Sequence, residues 1–189
     1  MEKIGLYGGT FDPIHHGHLI LARCAAESLG LARVLFIPNF ISPHKLDWTP
    51  APPSLRASMI AAAIAGEPRF EIDDCEILRG GPSYTIDTVS LMKERFGDAE
   101  LFLLIGDDNT ADLSTWHRID ELGRMVRFVV FTRANARPAH PHIAIDRRIE
   151  ISSTEIRARA AAGASIRFLV PEAVREIIER HALYREPSH

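Results

Sequence analysis

Apolar residues in this chain form short unbroken runs, separated by longer stretches in which they recur every three or four positions. The runs Lys3–Gly8 (KIGLYG), Arg33–Pro38 (RVLFIP), Leu101–Ile105 (LFLLI) and Arg127–Phe131 predict strands covered on both faces. Between them, Leu19, Ala22, Ala26 and Leu29 carry a helix that begins near Gly17 and is ended by Gly30. Pro53–Ala65 reads as a helix stopped by Gly66. Ser83–Phe96 reads as an amphipathic helix through Ile86, Val89, Met92 and Phe96, with Gly97 behind it. A short helix is predicted over Trp116–Leu122 and closed by Gly123; Phe70–Ile72, Glu76–Leu78 and Arg147–Ile151 read as further short strands. Ser152 with Glu155 fits a capping box opening a helix that runs to Gly163. Pro171 stands as the first residue of a final helix carried by Val174, Ile177 and Ile178. Strands alternating with helices predict an α/β fold, a doubly wound, mainly parallel sheet with helices on both faces.

The linker after the second strand is punctuated by Pro38, Pro43, Pro50, Pro52 and Pro53, and the tail from Arg185 is expected to fray. A length of 189 residues suits a single domain spanning 1–189. Apolar residues make up 46% and charged residues 25%, the balance of an ordinary globular protein. A net charge of −3 supplies no basic excess, so nucleic acid is not an expected partner. No apolar run approaches the roughly 18 residues that would cross a bilayer, so no membrane association is expected. Cys24 and Cys75 lack metal-ligand spacing and read as reduced core thiols, which with a start that passes straight into a strand points to the cytoplasm.

The candidate chemistry lies at the first strand–helix junction, Tyr7-Gly8-Gly9-Thr10-Phe11-Asp12-Pro13-Ile14-His15-His16-Gly17-His18. Open α/β sheets bind nucleotide phosphates at such junctions. Glycines let backbone N–H groups approach an anion, and the helix start aims its free N–H groups and positive dipole end at the same place. His15 and His18 lie three apart and can both face one phosphate, donating to charge that builds on its oxygens. The glycine spacing matches neither a Walker A loop nor a Gly-x-Gly-x-x-Gly fingerprint. The histidines superficially suggest zinc, but the acidic ligand that should follow is missing, so no resident metal is expected.

Gly8 to His18 resembles the GGTFDPxHxGH signature of the nucleotidylyltransferase superfamily, and Ile151-Ser152-Ser153-Thr154-Glu155-Ile156-Arg157 resembles its second signature, ISSTxIR. The resemblance implies a Rossmann-like fold and adenylyl transfer from ATP, with Mg²⁺ arriving on the nucleotide. It implies catalytic roles for His15, His18 and Arg157. ATP-binding roles fall to Gly8, Gly9, Thr10, Phe11, Gly17, Gly106, Asp108, Ile151, Ser153 and Thr154. The second motif makes physical sense beside the first: a capped helix start offers another anion site, and Arg157 adds a planar, multidentate cation one turn later.

The middle of the chain narrows the family. Arg79-Gly80-Gly81-Pro82-Ser83-Tyr84-Thr85-Ile86-Asp87-Thr88 resembles the R-x-G-x-S-Y-T-x-D-T segment of bacterial nicotinate-nucleotide adenylyltransferases. Pro43-His44-Lys45 is similar to their P-P-H-K loop with Ser42 in place of the first proline, and Ile105-Gly106-Asp107-Asp108 to their I-G-x-D segment. Of the two acidic residues, Asp108 is the one expected to face the ligand. The resemblance assigns Lys45, Ser83, Tyr84, Thr85 and Trp116 to nicotinate mononucleotide, with the indole of Trp116 stacked on the electron-poor pyridinium. Trp48 has no role in it, and His140 and His142 read as exposed and inert. The family includes monomers, dimers and larger forms, so a homo-oligomer is admitted. Two alternatives are a pantetheine-phosphate adenylyltransferase, against which Ser83-Tyr84-Thr85 argues, and a non-catalytic nucleotide-sensing domain, against which the intact histidines argue.

Overall fold

The computed structural model describes residues 1–43, 49–132 and 141–185. Six parallel strands form one sheet in the order β3-β2-β1-β4-β5-β6. They are β1 (Lys3–Gly9), β2 (Arg33–Pro38), β3 (Phe70–Ile72), β4 (Glu100–Gly106), β5 (Arg127–Thr132) and β6 (Ile143–Asp146). The helices are α1 (His16–Leu29), α2 (Pro53–Ile64), α3 (Cys75–Arg79), α4 (Thr85–Phe96), α5 (Ile119–Met125), α6 (Ser153–Ala161) and α7 (Glu172–Arg180). The strand order reverses between β1 and β4, which pair directly with Leu6 opposite Leu103. In a doubly wound sheet a crevice opens at the carboxyl ends of two such strands.

Alternate residues of β1, β2, β4 and β5 feed two separate cores. Phe36, Phe102, Leu104, Val129 and Phe131 meet Ala22 and Ala26 of α1, Met59 and Ile60 of α2, Ile156 of α6 and Val174 of α7. On the other face Leu35, Ile37, Leu101, Leu103 and Val130 meet Ile86, Val89 and Met92 of α4 and Leu122 of α5. Runs buried on both faces therefore read as continuous hydrophobicity, and helices do cover both faces as predicted.

Three predicted elements differ. Glu76–Leu78 is not a strand but part of α3: Oδ1 of Asp73 accepts the Cys75 N–H at 3.0 Å and starts the turn. Gly80, at φ 69°, ends it, and the apolar Leu78 is turned out to solvent. The short helix predicted at Trp116–Leu122 lies three residues later, because Arg118 at φ 56° redirects the chain. Trp116 instead closes a 3₁₀ turn over Leu113–Thr115, and Gly123 is an exposed residue inside α5. The last strand is Ile143–Asp146 rather than Arg147–Ile151, since its partner β5 ends at Thr132, opposite Asp146. Pro171 caps α7 from outside rather than opening it. Cys24 and Cys75 are both unbridged, and burial, with Asp73 beside it, pushes the Cys75 thiol up to about 12.

Candidate active site

A cleft of about 850 Å³ opens over the carboxyl ends of β1 and β4. Its floor is the loop that leaves β1. Phe11 occupies the left-handed region at φ 48° while buried, a strained conformation for a residue with a Cβ. Its ring lies so close beneath Gly9 that a Cβ there would meet it at 3.2 Å. Gly8 has open space around it and faces the cleft. The strain at Phe11 is opposed by packing: its ring lies edge-on to Tyr7 at 5.5 Å and to His18 at 5.0 Å between centroids.

His15 caps α1 and His18 is its third residue. The two imidazoles stack with centroids 3.8 Å apart. Nδ1 of His18 accepts the main-chain N–H of His15 at 3.2 Å. A neutral imidazole has one acceptor and one donor nitrogen, so His18 carries its hydrogen on Nε2. Gly17 makes the stack possible, because a Cβ there would meet the His15 ring at 2.9 Å. The His16 N–H is taken by the Leu169 carbonyl at 3.1 Å, while Gly17 lines the cleft with its N–H at the helix start.

The second signature closes on this loop from the far end of the chain. Oγ of Ser152 accepts the Glu155 N–H at 3.1 Å and caps α6, leaving the N–H groups of Ser153 and Thr154 at the helix start. The Ser153 hydroxyl donates to the Pro13 carbonyl at 2.9 Å, so this side chain ties the loop down rather than pointing at a ligand. Nη1 of Arg157 donates to the Asp12 carbonyl at 2.8 Å, and Nη2 to the Thr154 hydroxyl at 3.2 Å. Residues 145 positions apart are thereby held in one wall.

The opposite wall is the turn into α4. Ser83, Tyr84, Thr85 and Trp116 line the cleft there, and the Tyr84 ring lies 4.9 Å from that of His117. Gly106 and Asp108 line it at the end of β4, whereas Asp107 does not. His15, His18, Arg157, Gly8, Gly9, Thr10, Phe11, Gly17, Ile151, Ser153 and Thr154 also line it, so the predicted site residues within the described segments share one cavity. Lys45 lies outside the described residues, as do Trp48 and His140. His142 is not exposed as expected: it is half-buried, with its ring 5.0 Å from Phe128.

Several residues behind the cleft escape a motif-based reading. Arg56 of α2 is completely buried and, among the described residues, donates to four main-chain carbonyls: Ala51 at 3.0 Å, Thr10 at 2.8 Å, Asn39 at 2.7 Å and Phe40 at 3.5 Å. Burial pulls its guanidinium below the usual arginine value, opposed by the nearby Asp12 carboxylate. Its signal was in the pattern, a charge on the apolar stripe made by Met59, Ile60 and Ile64. Asn39 donates through Nδ2 to the Thr10 hydroxyl at 3.2 Å, joining the end of β2 to the phosphate loop. Asp12, 2% exposed, accepts from the Ala51 N–H at 3.3 Å and the Tyr184 hydroxyl at 2.6 Å. Its Oδ2 has no hydrogen-bond partner among the described residues. Glu76 of α3 is buried on the cleft wall, and burial pushes its carboxyl up despite bonds from Thr88 and Ser83.

Residues 6–159 match the family model described as cytidylyltransferase-like. The probable nicotinate-nucleotide adenylyltransferase of Thermomicrobium roseum is 38% identical over 198 residues, covering 98% of this chain and 92% of the relative. The protein of the same name from Geobacillus thermodenitrificans is 43% identical over 187 residues, covering 97% of this chain and 87% of the relative. Among solved structures, the nicotinic acid mononucleotide adenylyltransferase of Plasmodium falciparum complexed with APC superposes with a TM-score of 0.80. It is 17% identical and covers 97% of this chain and 98% of the other, a likeness of fold.

Proposed function

The chain belongs to the cytidylyltransferase-like family and, within it, to the nicotinate-nucleotide adenylyltransferases, and from that premise we propose how its cleft works. The protein joins ATP and nicotinate mononucleotide into nicotinate adenine dinucleotide and releases pyrophosphate. A phosphate oxygen of the mononucleotide bonds to the α-phosphorus of ATP. The bond from that phosphorus to the oxygen bridging to the β-phosphate breaks, and its electron pair leaves with pyrophosphate. No side chain has to form a bond; positioning and charge stabilisation do the chemistry.

The observation that carries this reading is the meeting of the two signatures at one anion site, where Arg157 and Ser153 hold the Asp12–Pro13 loop beside the stacked His15 and His18. His18 offers Nε2–H, and with His15 stabilises charge on the transferring and leaving phosphates. Gly8, Gly9, Thr10 and Phe11 shape the cradle. Gly17, Ser153 and Thr154 supply helix-start N–H groups. Arg157 adds a fixed cation. Gly106, Asp108 and Ile151 line the ATP side. Ser83, Tyr84, Thr85 and Trp116 receive the pyridine nucleotide, and Lys45 is assigned to it on the sequence resemblance alone.

A divalent cation, Mg²⁺, comes in with ATP and offsets phosphate charge. Among the described residues no group of three or more His, Cys, Asp or Glu side chains could cage a metal. The carboxylate of Asp108, on the cleft wall, fits an outer contact to a nucleotide-borne ion. No described helix is long and apolar enough to cross a membrane. The unbridged Cys24 and Cys75 fit a reducing compartment, and we assign the reaction to the cytoplasm. ATP labelled at the α-phosphorus tests the reaction type. The label is expected in the dinucleotide with unlabelled pyrophosphate released; label retained in released ADP or AMP would contradict adenylyl transfer.

A further inference from the structure

Glu76 is a buried carboxylate on the cleft wall that neither signature accounts for. Two hydroxyls converge on it. Thr88 donates to Oε1 at 2.6 Å, and the Thr88 oxygen itself accepts from Nη2 of Arg79 at 3.3 Å. The Ser83 hydroxyl oxygen accepts the Phe40 N–H at 3.0 Å, and the Ser83 side chain is hydrogen-bonded to Glu76. Each hydroxyl therefore has a donor behind it and sends its one hydrogen forward to the carboxylate. An ionised carboxylate accepts from both hydroxyls and, unlike the protonated acid, carries no hydrogen of its own that needs an acceptor.

These hydroxyls bracket the turn that matters. Ser83 and Thr88 stand on either side of Tyr84 and Thr85, where α4 begins. The Ser83 N–H is also bound by the Ile41 carbonyl at 2.9 Å, so Glu76 joins α3, α4 and the segment after β2 through one group. Folding alone gives no reason for an ionised group here, because a buried charge costs desolvation that an uncharged side chain would avoid.

We propose that Glu76 is a positioning residue for the pyridine-nucleotide side of the cleft, orienting Ser83 and Thr88 so that the Tyr84–Thr85 turn is preset for nicotinate mononucleotide. The proposal rests on the functional reading above. It separates Glu76 from the ATP side, which is organised by the loop after β1 and by α6.

The test is Glu76→Gln, which keeps the shape but replaces one acceptor by a donor, so one hydroxyl must turn away. The KM for nicotinate mononucleotide is expected to rise on the order of tenfold, the scale of one lost hydrogen bond to a charged group. The KM for ATP should stay within about twofold, and the unfolding midpoint should equal or exceed that of the unaltered protein. Thr88→Val should reproduce the selective rise, and the double variant should be no worse than the more impaired single variant, because both act through one network. An unchanged KM for the mononucleotide, an equal rise for both substrates, a lowered midpoint in Glu76→Gln, or additive effects would overturn the proposal. Absence of turnover by the unaltered protein with nicotinate mononucleotide is a different failure; it would overturn the functional reading and the proposal with it.

Discussion

The phenol of Tyr184 donates to Oδ1 of Asp12 at 2.6 Å, linking residues 172 positions apart. Tyr184 holds a left-handed backbone conformation, φ 65°, to do so, and burial together with the Asp12 charge pushes its phenol well above the usual tyrosine value. The end of the described chain is therefore a brace beneath the phosphate loop. Tyr184→Phe leaves Asp12 with the Ala51 N–H as its remaining carboxylate donor among the described residues. We expect a loss of about 1.5–3 kcal/mol, the value of a hydrogen bond to a charged group, read by urea unfolding. Unchanged stability would remove the brace from the account.

Arg56 holds three stretches of backbone at Thr10, Asn39 and Ala51. Replacing it by Leu leaves those carbonyls buried without their donor, at about 1–3 kcal/mol each. The variant should be strongly destabilised, and at a temperature where it remains folded its KM for ATP should rise because Thr10 loses its anchor. Arg56→Lys should recover little, since one ammonium cannot span carbonyls matched to a planar fork. Full rescue by lysine would show that charge alone is at work.

His18→Ala removes the Nε2–H donor and should lower kcat by about 10²–10³, the usual cost of losing a preorganised donor to transition-state charge. Circular dichroism should show the fold retained. Turnover near that of the unaltered protein would free His18 from its catalytic role.

Glu76 makes stability depend on pH in a definite direction. Its carboxyl is raised above the ordinary 4.5 by burial. The stabilising effect of a raised group is complete below the unfolded value and is lost as pH rises through the folded one. The native fold thus pays for ionising Glu76 as pH rises from 4.5, whereas Glu76→Gln has nothing to ionise. The stability advantage of the variant should widen as pH rises above 4.5 and level off once Glu76 is ionised in the native fold. A gap that narrows over that interval would contradict the assignment.

The sheet and both signatures were legible from the sequence because they rest on local rules: buried parallel strands are continuously apolar, and the Ser152 cap follows residue chemistry. The elements that moved were decided elsewhere. Leu78 looks like part of a strand until the Asp73 turn makes Cys75–Arg79 helical, and β6 is placed by where β5 offers an edge. The site's lining was readable as motifs, but its scaffold was not. Arg56, Tyr184 and Glu76 act through partners far away in sequence, and Ser153 turned out to bind Pro13 rather than to project freely.

Adenylyl transfer to the pyridine nucleotide is read directly from pyrophosphate release with ATP and Mg²⁺, comparing nicotinate mononucleotide, nicotinamide mononucleotide and phosphopantetheine side by side. Fast release is expected with nicotinate mononucleotide and none with phosphopantetheine. Release with phosphopantetheine, or no release with nicotinate mononucleotide, would contradict it.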